Sequence, residues 1–194
     1  GMKKRAAIFL DRDGTIIRHV DYLSKKHEVR LLPRAADAIR LMNKTGAPIF
    51  VVTNQPVVAR GWMTEEELMN LHDDRLERLR RRGAHITAVY YCPHHPNADK
   101  KEYRRVCACR KPGTGMFTKA ARQFHIDLTK SVMVGDATMD IAAGNRAKMK
   151  TILLGSGHGG SDGRFEVRPD AKAQTLLKAV PVIKSFLTKR KQRS

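Results

Sequence analysis

Three kinds of residue are scarce in this chain of 194 residues: aromatics make up 6%, cysteines number three, and 19 acids face 38 lysines and arginines. So few aromatics leave little material for the stacking platforms that grip single-stranded nucleic acid. Cys92, Cys107 and Cys109 are an odd count and lie close together, which argues against a disulfide framework and for a reducing cytoplasm. No apolar run approaches the ~20 residues of a membrane-spanning helix, so no membrane partner is expected. The start, GMKKRAAIFLDRDG, sets basic residues before an apolar stretch, but that stretch is too short for a signal peptide and runs straight into carboxylates. Gly1 reads as the scar of a cleaved tag, residues 2–190 as one domain and 190–194 as a basic tail.

The shortage of acid leaves a formal net charge of +19. Such a charge calls for anionic partners or substrates, nucleic acid among them. Runs occur at Arg78 to Arg82 and Lys184 to Arg193, but the remaining excess is dispersed. The charge therefore reads as a solvated surface that also attracts small phosphorylated metabolites. Specific nucleic-acid binding is not expected, and a monomer is.

What is present is organised around Ala6 to Ile17, AAIFLDRDGTII. Ile8, Phe9 and Leu10 form a buried-strand run that ends in Asp11 and Asp13, and Gly14-Thr15 turns the chain. Carboxylates at the edge of a core cost several kcal/mol, or shift their pKa, unless something offsets the charge. A Mg²⁺ ion held by one or two carboxylates and a substrate phosphate would do so. Taken alone, the stretch reads equally as an exposed turn.

Down the chain, Arg18 to Leu32 has no period and reads as a flap. A helix follows Pro33, with Ala36, Ile39, Leu41 and Met42 as its apolar face and Gly46 at its end. Pro48 to Thr53 is a second strand. Thr64 and Glu67 make a capping box for a helix to about Arg82, with Leu68, Leu71, Leu76 and Leu79 as its stripe. Ile86 to Tyr91 is a third strand, and a long polar loop runs from Cys92 to Pro112. Helices at Met116 to Phe124 and Met139 to Ala147 alternate with strands at Ser131 to Gly135 and Thr151 to Leu154. A glycine-rich loop, Gly155 to Gly163, does not match phosphate-loop spacing and receives no nucleotide role. A helix from Leu176 to Leu187 closes the chain. Alternation of this kind predicts an α/β fold: a single Rossmann-like domain whose parallel sheet is flanked by helices. Ligands there bind outside the carboxyl ends of the strands, where Asp11, Asp13, Thr53 and Asp136 all fall.

Four stretches, D11-R-D-G-T15, Thr53-Asn54, Lys111 in C-R-K-P, and G135-D136-A-T-M-D140, stand in the order of the haloacid dehalogenase superfamily, which the chain resembles from Ile8 to Leu154. The resemblance implies a Mg²⁺-dependent phosphomonoester hydrolase working through an aspartyl-phosphate, with Asp11 as nucleophile and Asp13 as acid and then base. It implies Mg²⁺ on Asp11, the backbone carbonyl of Asp13, and Asp136. Thr53 and Lys111 would hold phosphoryl oxygens, with backbone N–H groups near Asp13 and Asn54 assisting. Asp140 reads as support for the Mg²⁺ site or for Lys111, or as an ordinary first-turn acid.

Cys92, Cys107 and Cys109 with a nearby imidazole satisfy tetrahedral Zn²⁺ with no open position, which indicates a structural ion and a zinc-stapled loop. DRDGT, TNQ…ARG (Thr53 to Gly61) and the C-x-H…C-x-C-R-K-P loop are similar to the heptose bisphosphate phosphatase and histidinol-phosphatase branch. That likeness makes His94, rather than His95, the fourth zinc ligand and Arg110 a contact to substrate phosphate or sugar, and it leaves no room for a large cap domain. A sugar bisphosphate such as D-glycero-D-manno-heptose 1,7-bisphosphate is the expected substrate class, with histidinol phosphate or a nucleic-acid 3′-phosphate as alternatives. Ile17, Pro56 and Ala137 depart from the heptose enzymes at positions expected to face substrate.

Overall fold

Residues alternate across a sheet with a period of two, and here both faces are buried. Ile8 and Leu10 of β1 (Ile8–Leu10) join one core cluster, while Phe9 joins the other. The computed structural model describes residues 3–19 and 30–188; most of the expected flap, Gly1 and the basic tail lie outside them. Six parallel strands run in the order β3-β2-β1-β4-β5-β6. These are β1, β2 (Ile49–Asn54), β3 (Ala88–Cys92), β4 (Val132–Gly135), β5 (Lys150–Leu154) and β6 (Ala171–Ala173). Leu10 of β1 stands level with Val51 of β2 and Val134 of β4, so the three central strands end at one edge.

Helices α1 (Ala35–Asn43) and α6 (Leu176–Thr188) cover the face built from Ile8, Leu10, Val51, Val134 and Ile152. On the other face, α4 (Gly115–Phe124) sets Phe117 edge-on to Phe9 with ring centroids 5.2 Å apart. Helix α5 (Thr138–Arg146) contributes Ala143 to this second cluster. Helix α3 (Glu65–Arg81) opens on the Thr64–Glu67 capping box. Its arginines pair along the exposed face, Arg80 with Glu77 at 2.8 Å and Arg78 with Asp74 at 3.6 Å.

Several elements differ from the sequence reading. A four-residue helix, α2 (Pro56–Ala59), follows β2 directly, with Pro56 at its first turn where a missing N–H costs nothing. β6 is too short and too little apolar to show a pattern. The stripe of α3 is Leu68, His72 and Leu79, with Leu71 and Leu76 only partly buried, and Leu41 likewise sits at the margin of α1. Ile17 does not face a ligand: it is 1% exposed and packs in the core, because the chain at Ile17 bridges Leu31 and turns the side chain inward.

Candidate active site

The carboxyl ends of β1, β2 and β4 bring four charged residues into one buried cluster. Lys111, 2% exposed, places its Nζ 2.9 Å from Asp11 Oδ1, 2.5 Å from Asp140 Oδ1 and 3.0 Å from the Val52 carbonyl. Asp136 ends β4 beside them, and ligand oxygens of Asp11, Asp136 and Asp140 lie within 4.8 Å of one another. Burial pushes the Asp11 carboxyl well above the usual carboxylate range, and Asp140 adds to the rise, against the pull of Lys111. Asp140 is raised by burial as well. Burial disfavours the Lys111 cation too, but Asp11 and Asp140 outweigh it and its pKa rises. Lys111 is the one buried cation among three buried carboxylates, and Asp136 Oδ1 is buried with no partner among the described residues. An all-oxygen donor set carrying an orphaned carboxylate oxygen fits a hard divalent cation such as Mg²⁺.

Asn54, at the end of β2, fixes where Lys111 stands. Its Oδ1 accepts from the Lys111 N–H at 2.9 Å and its Nδ2 donates to the Lys111 carbonyl at 3.1 Å. The side-chain amide is thereby committed to the lysine backbone, leaving only the backbone of Asn54 for a ligand. Asp140 also caps α5, its Oδ2 accepting from the Ala137 N–H at 3.1 Å.

Asp13 is held from two sides. Arg12 Nη2 donates to both of its oxygens, at 3.0 and 3.1 Å, and Gln55 Nε2 donates to Oδ2 at 3.1 Å. The same Gln55 amide reaches Thr53 Oγ1 at 2.8 Å.

Above Asp136 closes the glycine-rich loop that the sequence left without a role. The His158 N–H donates to Asp136 Oδ2 at 2.7 Å, and the Gly160 N–H to the Asp136 carbonyl at 2.7 Å. A Cβ on Gly14, where φ is +78°, would fall 2.2 Å from Asp136 Oδ2, and one on Gly157 2.3 Å from the same atom. Only glycine fits either place. His19 Nε2 is also 2.9 Å from Asp136 Oδ2, so His19, not Ile17, is the residue after DGT that reaches the carboxylates. Gln55, His19, Arg12 and the glycine loop were missed as neighbours of the carboxylates. Only the density of glycine in the loop signalled a close backbone approach.

A second cluster stands at the end of β3. Cys107 Sγ lies 3.3 Å from Cys92 Sγ and 3.0 Å from Cys109 Sγ, while Cys92 and Cys109 are in direct sulfur contact. His94 Nδ1 is 3.5 Å from Cys109 Sγ and 3.8 Å from Cys92 Sγ. Burial, and Arg105 after it, lower the His94 pKa, which favours the neutral imidazole a metal requires. His95 turns away, its Nδ1 accepting from the Asn97 N–H at 3.0 Å. Three sulfurs and one imidazole nitrogen suit a soft, tetrahedral ion. One residue, Arg110, separates Cys109 of this cluster from Lys111.

The surface opening beside Asp13 is a cleft of ≈ 130 Å³ lined by His19, Asn54, Gln55, Pro56, Val57, Arg60 and Trp62. Arg60 stacks 5.1 Å over the Trp62 ring. Arg110 is half-buried with Nη1 unpartnered; burial first, then Arg164 and Arg60, lowers its pKa. Ala137 is partly buried beside Asp136. A larger cavity, ≈ 480 Å³, opens at the other end of the strands around Arg5, Gly46 and Lys184, far from the strand-end carboxylates.

Comparison with known proteins agrees with this geometry. The HAD-hydrolase-like family model matches residues 108–179. A D-glycero-beta-D-manno-heptose-1,7-bisphosphate 7-phosphatase of Escherichia coli O6:H1 is 41% identical over 152 residues, 78% of this chain and 80% of that protein. The D-glycero-D-manno-heptose-1,7-bisphosphate 7-phosphatase of Chlorobaculum tepidum is 36% identical over 187 residues, 92% of this chain and 94% of its own. The D,D-heptose 1,7-bisphosphate phosphatase of B. bronchiseptica, solved with magnesium and phosphate, superposes with a TM-score of 0.78 at 27% identity, covering 93% of this chain and 98% of that one. The chain belongs to the HAD-like hydrolase family. Within that family its relatives are phosphatases, and so is this enzyme.

Proposed function

We propose that the protein is a Mg²⁺-dependent phosphomonoester hydrolase that forms an aspartyl-phosphate on Asp11 and acts on a sugar bisphosphate, D-glycero-D-manno-heptose 1,7-bisphosphate first among them. The observation that carries this is the strand-end cluster, in which Asp11 faces Lys111 at 2.9 Å and Asp136 Oδ1 stays unpartnered. Asp11, the Asp13 carbonyl and Asp136 would hold Mg²⁺. The bound ion would neutralise the phosphoryl oxygens and let two anions meet.

Asp11 attacks phosphorus and carries the phosphoryl group. Lys111 and Thr53 hold its oxygens, with backbone N–H groups near Asp13 and Asn54, and Asp140 keeps the lysine in place. Asp13 gives a proton to the leaving oxygen and later takes one from water. Arg60 lines the cleft, Arg110 lies close enough to Arg60 and Arg164 for their charges to interact, and Arg110 Nη1, without a partner among the described residues, suits a second phosphate. That charge favours a bisphosphate over histidinol phosphate, whose far end is cationic. Cys92, His94, Cys107 and Cys109 would hold a structural Zn²⁺, which would fix the loop that carries Arg110 and Lys111. A zinc site of thiolates would require a reducing compartment, which supports the cytoplasm as its location. Among the described residues no helix is long and apolar enough to cross a membrane.

The test is a phosphate-release screen over heptose bisphosphate, histidinol phosphate and a 3′-phosphorylated oligonucleotide, with and without Mg²⁺. Mg²⁺-dependent turnover fastest on the bisphosphate is expected. Turnover fastest on either alternative would overturn the substrate assignment, and full rate without Mg²⁺ the mechanism.

A further inference from the structure

The stripe that α3 turns to the core holds one imidazole among leucines. His72 is 6% exposed, one turn from Leu68, and has no place in the chemistry above. Its Nε2 lies 3.1 Å from Arg12 Nη1. Arg12 is itself 4% exposed, although it stands between two strand-end carboxylates. A guanidinium only donates, so His72 Nε2 accepts and the proton sits on Nδ1. Burial, with the Arg12 cation second, lowers the His72 pKa to about 4, so the ring stays a neutral acceptor at working pH. The other amino group, Arg12 Nη2, forks onto both oxygens of Asp13.

A guanidinium is planar and rigid, so fixing one amino group fixes the direction of the other. We propose that His72 is a positioning residue which, through Arg12, aims the Asp13 carboxyl at the leaving oxygen. The inference rests on the reading of Asp13 as general acid. In that step the Asp11–phosphorus bond forms, the bond from phosphorus to the leaving oxygen breaks, and the Asp13 proton passes to that oxygen. Misaiming Asp13 therefore harms poor leaving groups, which need the proton, and spares good ones.

The experiment compares phenyl phosphate with p-nitrophenyl phosphate in single-turnover phosphorylation of the Mg²⁺-loaded enzyme. His72→Met removes the strong acceptor at nearly constant length, and His72→Gln restores an acceptor oxygen. Full loss of acid catalysis is worth ~10²–10⁴-fold, so partial misalignment in His72→Met should cost about 10-fold with phenyl phosphate. With p-nitrophenyl phosphate the loss should stay within about twofold, and His72→Gln should recover most of the phenyl phosphate rate. Equal loss with both leaving groups, no loss at all, or failure of Gln to rescue overturns the role of His72. Asp13→Asn is the control beneath it. If Asp13→Asn does not discriminate between the leaving groups, the acid assignment itself fails. If it does and His72→Met does not, the failure belongs to His72 alone.

Discussion

Replacing Asp11 by Asn should make the Mg²⁺-free protein more stable while abolishing its activity. Three carboxylates converge on one buried lysine, and the Asp11 carboxyl is pushed well above its usual range by burial and then by Asp140, with Lys111 offsetting only part. Each tenfold weakening of an acid on folding costs its ionised form ~1.4 kcal/mol at neutral pH. Removing that charge should return on the order of 1–3 kcal/mol, since the amide oxygen still accepts from Lys111. At ~2–4 °C per kcal/mol for a chain of this size, Tm should rise by about 2–12 °C. The sign with pH follows from a folded pKa above the unfolded one. The wild-type penalty is full above the folded pKa and fades as pH falls toward the unfolded value near 3.8, so the two melting curves should converge in acid. Circular dichroism melts would be run on protein dialysed free of Mg²⁺ without chelator, so that the cysteine cluster is undisturbed. Mg²⁺ at ~100 times its Kd should then stabilise the wild type by ~2.7 kcal/mol and Asp11→Asn far less. A variant melting below wild type at every pH would refute the reasoning, because the Lys111 pairing would then outweigh burial and repulsion.

Other outcomes are equally specific. Asp13→Asn should form phosphoprotein from p-nitrophenyl phosphate in acid-quench experiments and then stall, whereas Asp11→Asn should trap none; label accumulating on the Asp11 variant would reverse the two roles. Protein purified without chelator should carry about one zinc per chain, and Cys107→Ala should lose both the metal and thermal stability. Zinc-free protein with a Cys92–Cys109 disulfide and one free thiol would dismiss the structural ion. Oligonucleotide binding should be weak, indifferent to sequence and steeply weakened by salt; tight binding at physiological salt would restore the nucleic-acid phosphatase.

The centre of the sheet is legible because β1, β2 and β4 are short apolar runs that end at Asp11, Thr53 and Asp136. Periodicity located α1, α3 and α4, and the capping box fixed the start of α3. β6 was not legible, since AKA carries no alternation, and α2 was too short to show a period. Side-chain commitments were harder still. Nothing local says that Asn54 spends its amide on Lys111, 57 residues away, or that His19 turns to Asp136. Ile17 shows the opposite error, a core residue read as a ligand-facing one because its place after a motif was weighed above its chemistry.

The two glycines over Asp136 also bear on how such an enzyme diversifies. A Cβ on Gly157 would lie 2.7 Å from the Gly14 Cα, so two distant loops meet there backbone to backbone. No side chain can be added on that side without displacing the carboxylate. Room for a changed side chain lies instead along Pro56 to Trp62 of the cleft, where Arg60 and Trp62 reach solvent and touch none of the three carboxylates.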